Sequence, residues 1–300
     1  MKNILVKIKE LKKKRNAVIL VHNYQSPEVQ DIADYRGDSL GLSREAAKTE
    51  ADVIVFCGVH FMAETAAILS PDKKVLLPDK DAGCPMADMI DAEKLGELKK
   101  KHPEAAVVCY VNSTAEVKAE SDYCCTSANA VEILSRIENN EIIFVPDKYL
   151  GSFAAKKAGK KVILCDGYCP VHMKILSEHI AEAKKEHPLA KVLVHPECRT
   201  EICNMADEVL STSGMEKYAR ENSCGEMIIG TETGLIYRLQ KDNPLKKFYP
   251  ASDGAVCPNM KKTSLEKVLW ALEEMKYEIK VKESTAEAAR KAIDRMIACG

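Results

Sequence analysis

The 300 residues are 46% apolar, enough for a sizeable core and, on size alone, about two domains. Forty-four basic side chains against 45 acidic ones give a formal net charge of −1, which excludes a basic field for nucleic acid or a membrane surface and points to small ligands. No apolar run reaches the roughly 18 residues of a membrane span, so a cytoplasmic protein is expected, in which the twelve cysteines stay reduced and some need a role other than bridging.

In chain order, MKNILVKIKELKKKRN sets Ile4, Leu5, Ile8 and Leu11 on one helical face, the pattern of a docked helix and not of a signal peptide. AVILVHNY (17–24) reads as a short buried strand ending in a polar tip with His22 and Tyr24. Ser26-Pro27 fits an N-cap with proline at the first helical position. Asp34, Ser39 in a GDS loop, the strand VIVF (53–56) and the loop AGCPMAD with Cys84 follow. The order then repeats. VVCYVNS (107–113) carries Tyr110 and Asn112, and Asp122, Ser127 in TSAN, IIFV (142–145) and Cys169 in GYCPVHM come after it. A third copy holds KVLVHPEC (191–198) with His195 and Glu197, then Asp207, Thr212 in STSG, MIIG (227–230) and Cys257 in AVCPNMK. His22, Tyr110 and His195 are spaced 88 and 85 residues apart, and the three Cys-Pro pairs 85 and 88. Capping-box spacing marks further helix starts at Ser113 to Glu116, Thr263 to Glu266 and Ser284 to Glu287. His102-Pro103, His187-Pro188 and the lysine runs read as helix ends. From 263 onward a helix, a strand YEIKV and an Ala-rich helix lie outside the repeat and are expected to close onto the first unit.

Strands alternating with helices predict an α/β protein of three pseudo-threefold-related three-layer α/β/α units with parallel sheets around a central cleft. The expected units are 1–86 with 263–300, 87–171, and 172–262. Ligands of such sheets bind beyond the carboxyl ends of the strands, so the His/Tyr/His and Tyr/Asn/Glu columns and the three Cys-Pro thiols converge. Three thiolates make an incomplete donor set: His172 completes a zinc site, or a [4Fe-4S] cluster keeps one iron open as a Lewis acid. Cys57, Cys109, Cys124, Cys125, Cys165, Cys198, Cys203, Cys224 and Cys299 follow no such pattern and read as core or surface thiols. The Ser39, Ser127 and Thr212 loops suit ordinary capping or, together, an anion with several charges. Glu197 reads as a general base or an exposed loop acid, and His22 and His195 as ligand contacts or satisfied core histidines.

The motifs VHNYQSPEVQDIADYRGDS, GVHFMAE, GCPMAD, YVNSTAE, TSANAVE, GYCPVH, VHPEC, STSGMEK, IGTETG and AVCPNMKK span essentially the whole chain. In these the sequence resembles the quinolinate synthases, iron–sulfur enzymes that condense iminoaspartate with dihydroxyacetone phosphate to quinolinate in NAD biosynthesis. The resemblance implies a [4Fe-4S] cluster on Cys84, Cys169 and Cys257 with one open iron site. It makes His22, Tyr24, Ser39, Tyr110, Asn112, Ser127, His172, His195, Glu197 and Thr212 the pocket residues, with Met260 and Lys261 in the same wall. Glu197 and the histidines are expected to move protons, Tyr24 and Tyr110 to orient substrate, and the hydroxyl loops to hold carboxylate or phosphate. The implied partners are those two substrates and an enzyme producing iminoaspartate. His60 departs from the pattern, where an acidic residue is expected, and the CxxC pair of some longer relatives is absent. The competing expectations are a zinc-dependent hydrolase or lyase acting on a small anion, and a non-catalytic module binding dicarboxylates.

Overall fold

The structure, a computed structural model, describes residues 2–299. The first sheet holds β1 (Ala17–His22), β2 (Tyr35–Gly37), β3 (Val53–Cys57) and β4 (Lys74–Leu76). The second holds β5 (Ala106–Tyr110), β6 (Tyr123–Cys125), β7 (Ile142–Val145) and β8 (Val162–Leu164), and the third β9 (Lys191–Val194), β10 (Glu208–Val209), β11 (Glu226–Gly230) and β12 (Lys247–Pro250). Each sheet has the same order, β2-β1-β3-β4, β6-β5-β7-β8 and β10-β9-β11-β12, and every pairing is parallel. The central strands β3, β5 and β7 are buried at every residue, as continuous apolar runs must be when helices cover both faces. The expected α/β architecture of three helix-flanked parallel sheets is the one observed.

The aspartate column explains how very short edge strands are held. The Oδ2 atoms of Asp34, Asp122 and Asp207 accept the amides of Ile19, Val107 and Val192, each at 2.8 Å. The amide of each aspartate returns a bond to the carbonyl of the same strand residue, at 3.0, 3.0 and 2.9 Å. A charge-assisted side-chain bond thus extends the ladder where the backbone of the edge strand runs out.

The first two units share one continuous core, to which the helix Glu283–Ala298 contributes Ala289, Ala292, Ile293 and Met296. That helix packs on Ala115–Ala119, β6 and the helices Ser39–Lys48 and His60–Leu69, so it seals the seam between the two. Asn129 pins its end by donating to the carbonyls of Met296 (3.0 Å) and Cys299 (2.9 Å). The helix Leu265–Glu274 instead covers β3 and the N-terminal helix Lys2–Lys14. Of the latter's apolar stripe, Ile8 is buried and Ile4 and Leu11 pack on the core, while Leu5 stays 40% exposed.

Several local expectations need correction. YEIKV forms no regular strand: it makes one antiparallel bridge, Leu76 with Glu278, and Tyr277 takes a left-handed φ of 59° that breaks the extended run. The capping residues at two sites are Thr114 and Ser264, one place later than the spacing suggested, each accepting from the amide three residues on. Ser284 lies inside the last helix, whose N-cap Lys282 makes no side-chain bond. His102 and His187 do end helices, both with φ near −130° before a proline that cannot continue them.

Candidate active site

The carboxyl ends of the three sheets face one cavity of about 230 Å³. Cys84, Cys169 and Cys257, one from each sheet's last loop, all line it. Their loops are alike. Each Cys-Pro pair leads into a 3₁₀ turn, Ala87–Met89, His172–Lys174 or Met260–Lys262, and the sulfur receives the amides two and three residues on. Proline supplies no competing donor at the first position of the turn. Burial pushes all three thiols up, Cys84 to about 12, so they ionise only beside a cation. A half-buried trio of this kind, with amides aimed at each sulfur, fits a thiolate-ligated metal group.

The strand-tip columns line the same cavity. His22, Tyr110 and His195 all face the cavity, as do Tyr24, Asn112 and Glu197 two residues on. The amides of Tyr24 and Glu197 donate to Nδ1 of His22 (3.1 Å) and His195 (3.4 Å), leaving Nε2 of each ring to carry its proton. His195 Nε2 then pairs with Ser127 Oγ at 3.0 Å. Burial lowers the pKa of both rings, His22 to about 3, so they are neutral donors at neutral pH. Burial, reinforced by the Glu197 charge, holds Tyr24 and Tyr110 protonated well beyond the usual range.

Glu197 is the hub. Its Oε2 lies 2.9 Å from His172 Nδ1 and 3.3 Å from His195 Nδ1, and Asn112 Nδ2 reaches Oε1 at 3.5 Å. Burial alone would raise its carboxyl, but His172, the nearer imidazole, outweighs burial and holds it below the usual carboxylate range. It is fully enclosed, so the exposed-loop-acid expectation does not hold. His172 Nε2 meets Thr231 Oγ1 at 2.9 Å, and the same hydroxyl bonds Tyr24 Oη at 2.6 Å.

Ser39, Ser127 and Thr212 line the remaining side. Two helices are capped by the upstream neighbours, Asp38 accepting from Gly41 N (2.8 Å) and Ser211 from Gly214 N (3.1 Å), while Thr126 accepts from Ala128 N (3.2 Å) in the turn before the helix Ala130–Arg136. The column hydroxyls are therefore not spent on their helix caps.

Sequence reasoning missed the acids at the tips of the third strands. Glu232 is buried; its Oε1 accepts the amide of Cys257 (3.0 Å), its Oε2 that of Gly234 (2.7 Å), and Lys261 Nζ sits 2.9 Å from Oε1 while also donating to the carbonyl of Tyr24. Gly234 is required there, since a Cβ would stand 2.7 Å from Lys261 Nζ and 2.8 Å from Glu232 Oε2. Asp147, in the matching slot, accepts the amides of Tyr149 and Leu150 and supports that of Cys169. The first copy carries Val59 at this place, which hid the column. His60 lies outside the cavity, in a shallow pocket behind Cys84, 3.7 Å from Glu64.

The family model described as "Quinolinate synthetase A protein" matches residues 6–298. The chain belongs to the quinolinate synthase family. It is 57% identical to the quinolinate synthase of Dehalococcoides mccartyi strain CBDB1, over 97% of this chain and 96% of the relative. Identity to quinolinate synthase 1 of Methanosarcina acetivorans is 55% over 99% and 97%, and to the Thermodesulfovibrio yellowstonii quinolinate synthase 58% over 96% and 95%. A quinolinate synthase is an enzyme of NAD biosynthesis acting on small molecules, so neither a hydrolase nor a dicarboxylate-binding module describes the chain. No helix among the described residues is long and apolar enough to cross a membrane.

Proposed function

We propose that the cavity holds a [4Fe-4S] cluster on Cys84, Cys169 and Cys257, and condenses iminoaspartate with dihydroxyacetone phosphate, releasing phosphate and water. The observation that carries this is that one Cys-Pro thiol from each sheet lines a single cavity together with the buried carboxylate of Glu197. When bound, the cluster supplies a Lewis acid at an iron without a protein ligand, which makes hydroxide a feasible leaving group.

The chain's own residues do the rest. Ser39 and Thr212 open the helices Ser39–Lys48 and Thr212–Glu221, whose first amides and hydroxyls stabilise carboxylate or phosphate. His22 and His195, neutral and protonated at Nε2, donate to substrate oxygens without adding a charge. Tyr24 and Tyr110 remain protonated and orient the same oxygens. Asn112 Oδ1 is buried with no hydrogen-bond partner, and a substrate amine or hydroxyl satisfies it. Glu197, ionised, takes the proton from carbon or nitrogen as each bond forms, and a neighbouring imidazole or phenol returns one to the departing oxygen. The cavity is smaller than a drug-sized site, which suits small ligands.

The same reading divides the chain into lobes 1–86 with 263–300, 87–171, and 172–262, each lending one thiol. It places the protein in the cytoplasm beside an enzyme that supplies iminoaspartate. An anaerobic assay tests it: iminoaspartate generated in situ and dihydroxyacetone phosphate should yield quinolinate and phosphate in equal amounts. Phosphate released without quinolinate would refute the condensation.

A further inference from the structure

The threefold repeat is broken next to one thiol only. Three residues after each cysteine stand Ala87, His172 and Met260, so the second unit alone adds a nitrogen donor beside its sulfur. One ligand atom each of Cys169, His172 and Glu197 lies within 4.8 Å of the other two, the only such group among the described residues. His172 is buried, and its Nδ1 sits 2.9 Å from Glu197 Oε2. The three donor atoms are near enough for one cation to take all of them. Thr231 Oγ1, 2.9 Å from Nε2 and itself tied to Tyr24 Oη, fixes the ring so that Nδ1 is the atom presented.

We propose that the cluster-free chain binds one zinc-like divalent ion at Cys169, His172 and Glu197, apart from Cys84 and Cys257. One sulfur, one imidazole nitrogen and one carboxylate oxygen form a borderline-soft donor set with a fourth position open to water. Ordinary bonds of about 2.0–2.3 Å put such ligands roughly 3.5 Å apart, so a small readjustment of the three side chains completes the set. Binding displaces the thiol proton, giving a metal–thiolate bond and one proton to solvent. Because Cys169 is shared with the site proposed above, the ion and the cluster exclude each other, and zinc at this place blocks cluster installation.

Cobalt(II) titration of the full-length chain, stripped of iron by anaerobic chelation and checked for intact secondary structure by circular dichroism, tests this. One cobalt per chain should bind with a thiolate charge-transfer band, and zinc should displace it. Cys169→Ser should abolish the band, and His172→Gln and Glu197→Gln should each weaken binding about tenfold or more, while Cys84→Ser and Cys257→Ser leave it in place. A band that depends on Cys84 or Cys257, or no band at equimolar cobalt, overturns the proposal. The first result leaves the three-thiol cluster reading intact. Cobalt binding as predicted, in a chain that takes up no iron and sulfide on reconstitution, refutes the cluster reading alone.

Discussion

At the scale of single residues, Glu197 carries the proton traffic because it is the enclosed carboxylate that His172 keeps ionised. Glu197→Gln preserves shape and removes the base, so kcat should drop by about 10²–10⁴ while substrate KM changes little. Retained turnover in steady-state assays would remove that role. His22 makes a separate prediction about pH. Its folded pKa of about 3 against 6.5 for a free imidazole means that, below pH 6.5, the unfolded chain binds a proton the folded chain refuses. Stability therefore falls as pH drops from 6.5 towards 3, by at most about 1.4 kcal/mol per pH unit from this ring. The depressed Glu197 carboxyl acts in the same direction below 4.5, since its stabilising contribution is lost as it protonates. Urea unfolding of His22→Gln at neutral pH and at about pH 5 should show a smaller acid loss than the parent chain; an equal loss would mean that His22 is not the group responsible.

At the scale of elements, the aspartate column and the strand-tip acids are structural devices with separable consequences. Asp122 holds β6 against β5 through the Val107 amide, far from the cavity. Asp122→Ala should cost about 1–2 kcal/mol in chemical denaturation and leave bound iron unchanged. Glu232 holds the Cys257 loop and, through Lys261, the Tyr24 turn. Glu232→Ala should lower iron per chain and activity together; full iron content would show that the Cys257 loop stands without it. These two cases also show what a sequence displays. Asp34, Asp122 and Asp207 recur with identical identity, so the column is visible, though its bond to the strand amide needs coordinates. Asp147 and Glu232 share a column with Val59, and a slot filled by different chemistry in one copy leaves no pattern to read. YEIKV looked like a strand because apolar residues alternate there, yet the left-handed turn at Tyr277 leaves only one bridge to β4.

At the scale of the whole molecule, function follows from three parallel sheets of one topology whose strand ends meet. Parallel sheets put every functional loop at one end, and repetition puts equivalent loops at one centre. That much was legible from column spacing, because the strand tips keep their register through changes of three residues in loop length. How the last helix closes the seam between the first two units was not, since a docking face depends on the surface it meets and not on its own pattern. The central claim, that each lobe gives one sulfur to a common iron–sulfur cluster, is tested most directly by iron and sulfide analysis of the anaerobically purified chain beside its Cys84→Ser, Cys169→Ser and Cys257→Ser variants. About four irons and four sulfides per chain are predicted for the parent, with a large loss of both in every variant. A metal-stripped parent that takes up no iron and sulfide on anaerobic reconstitution, or full iron in any one of the three variants, would contradict it.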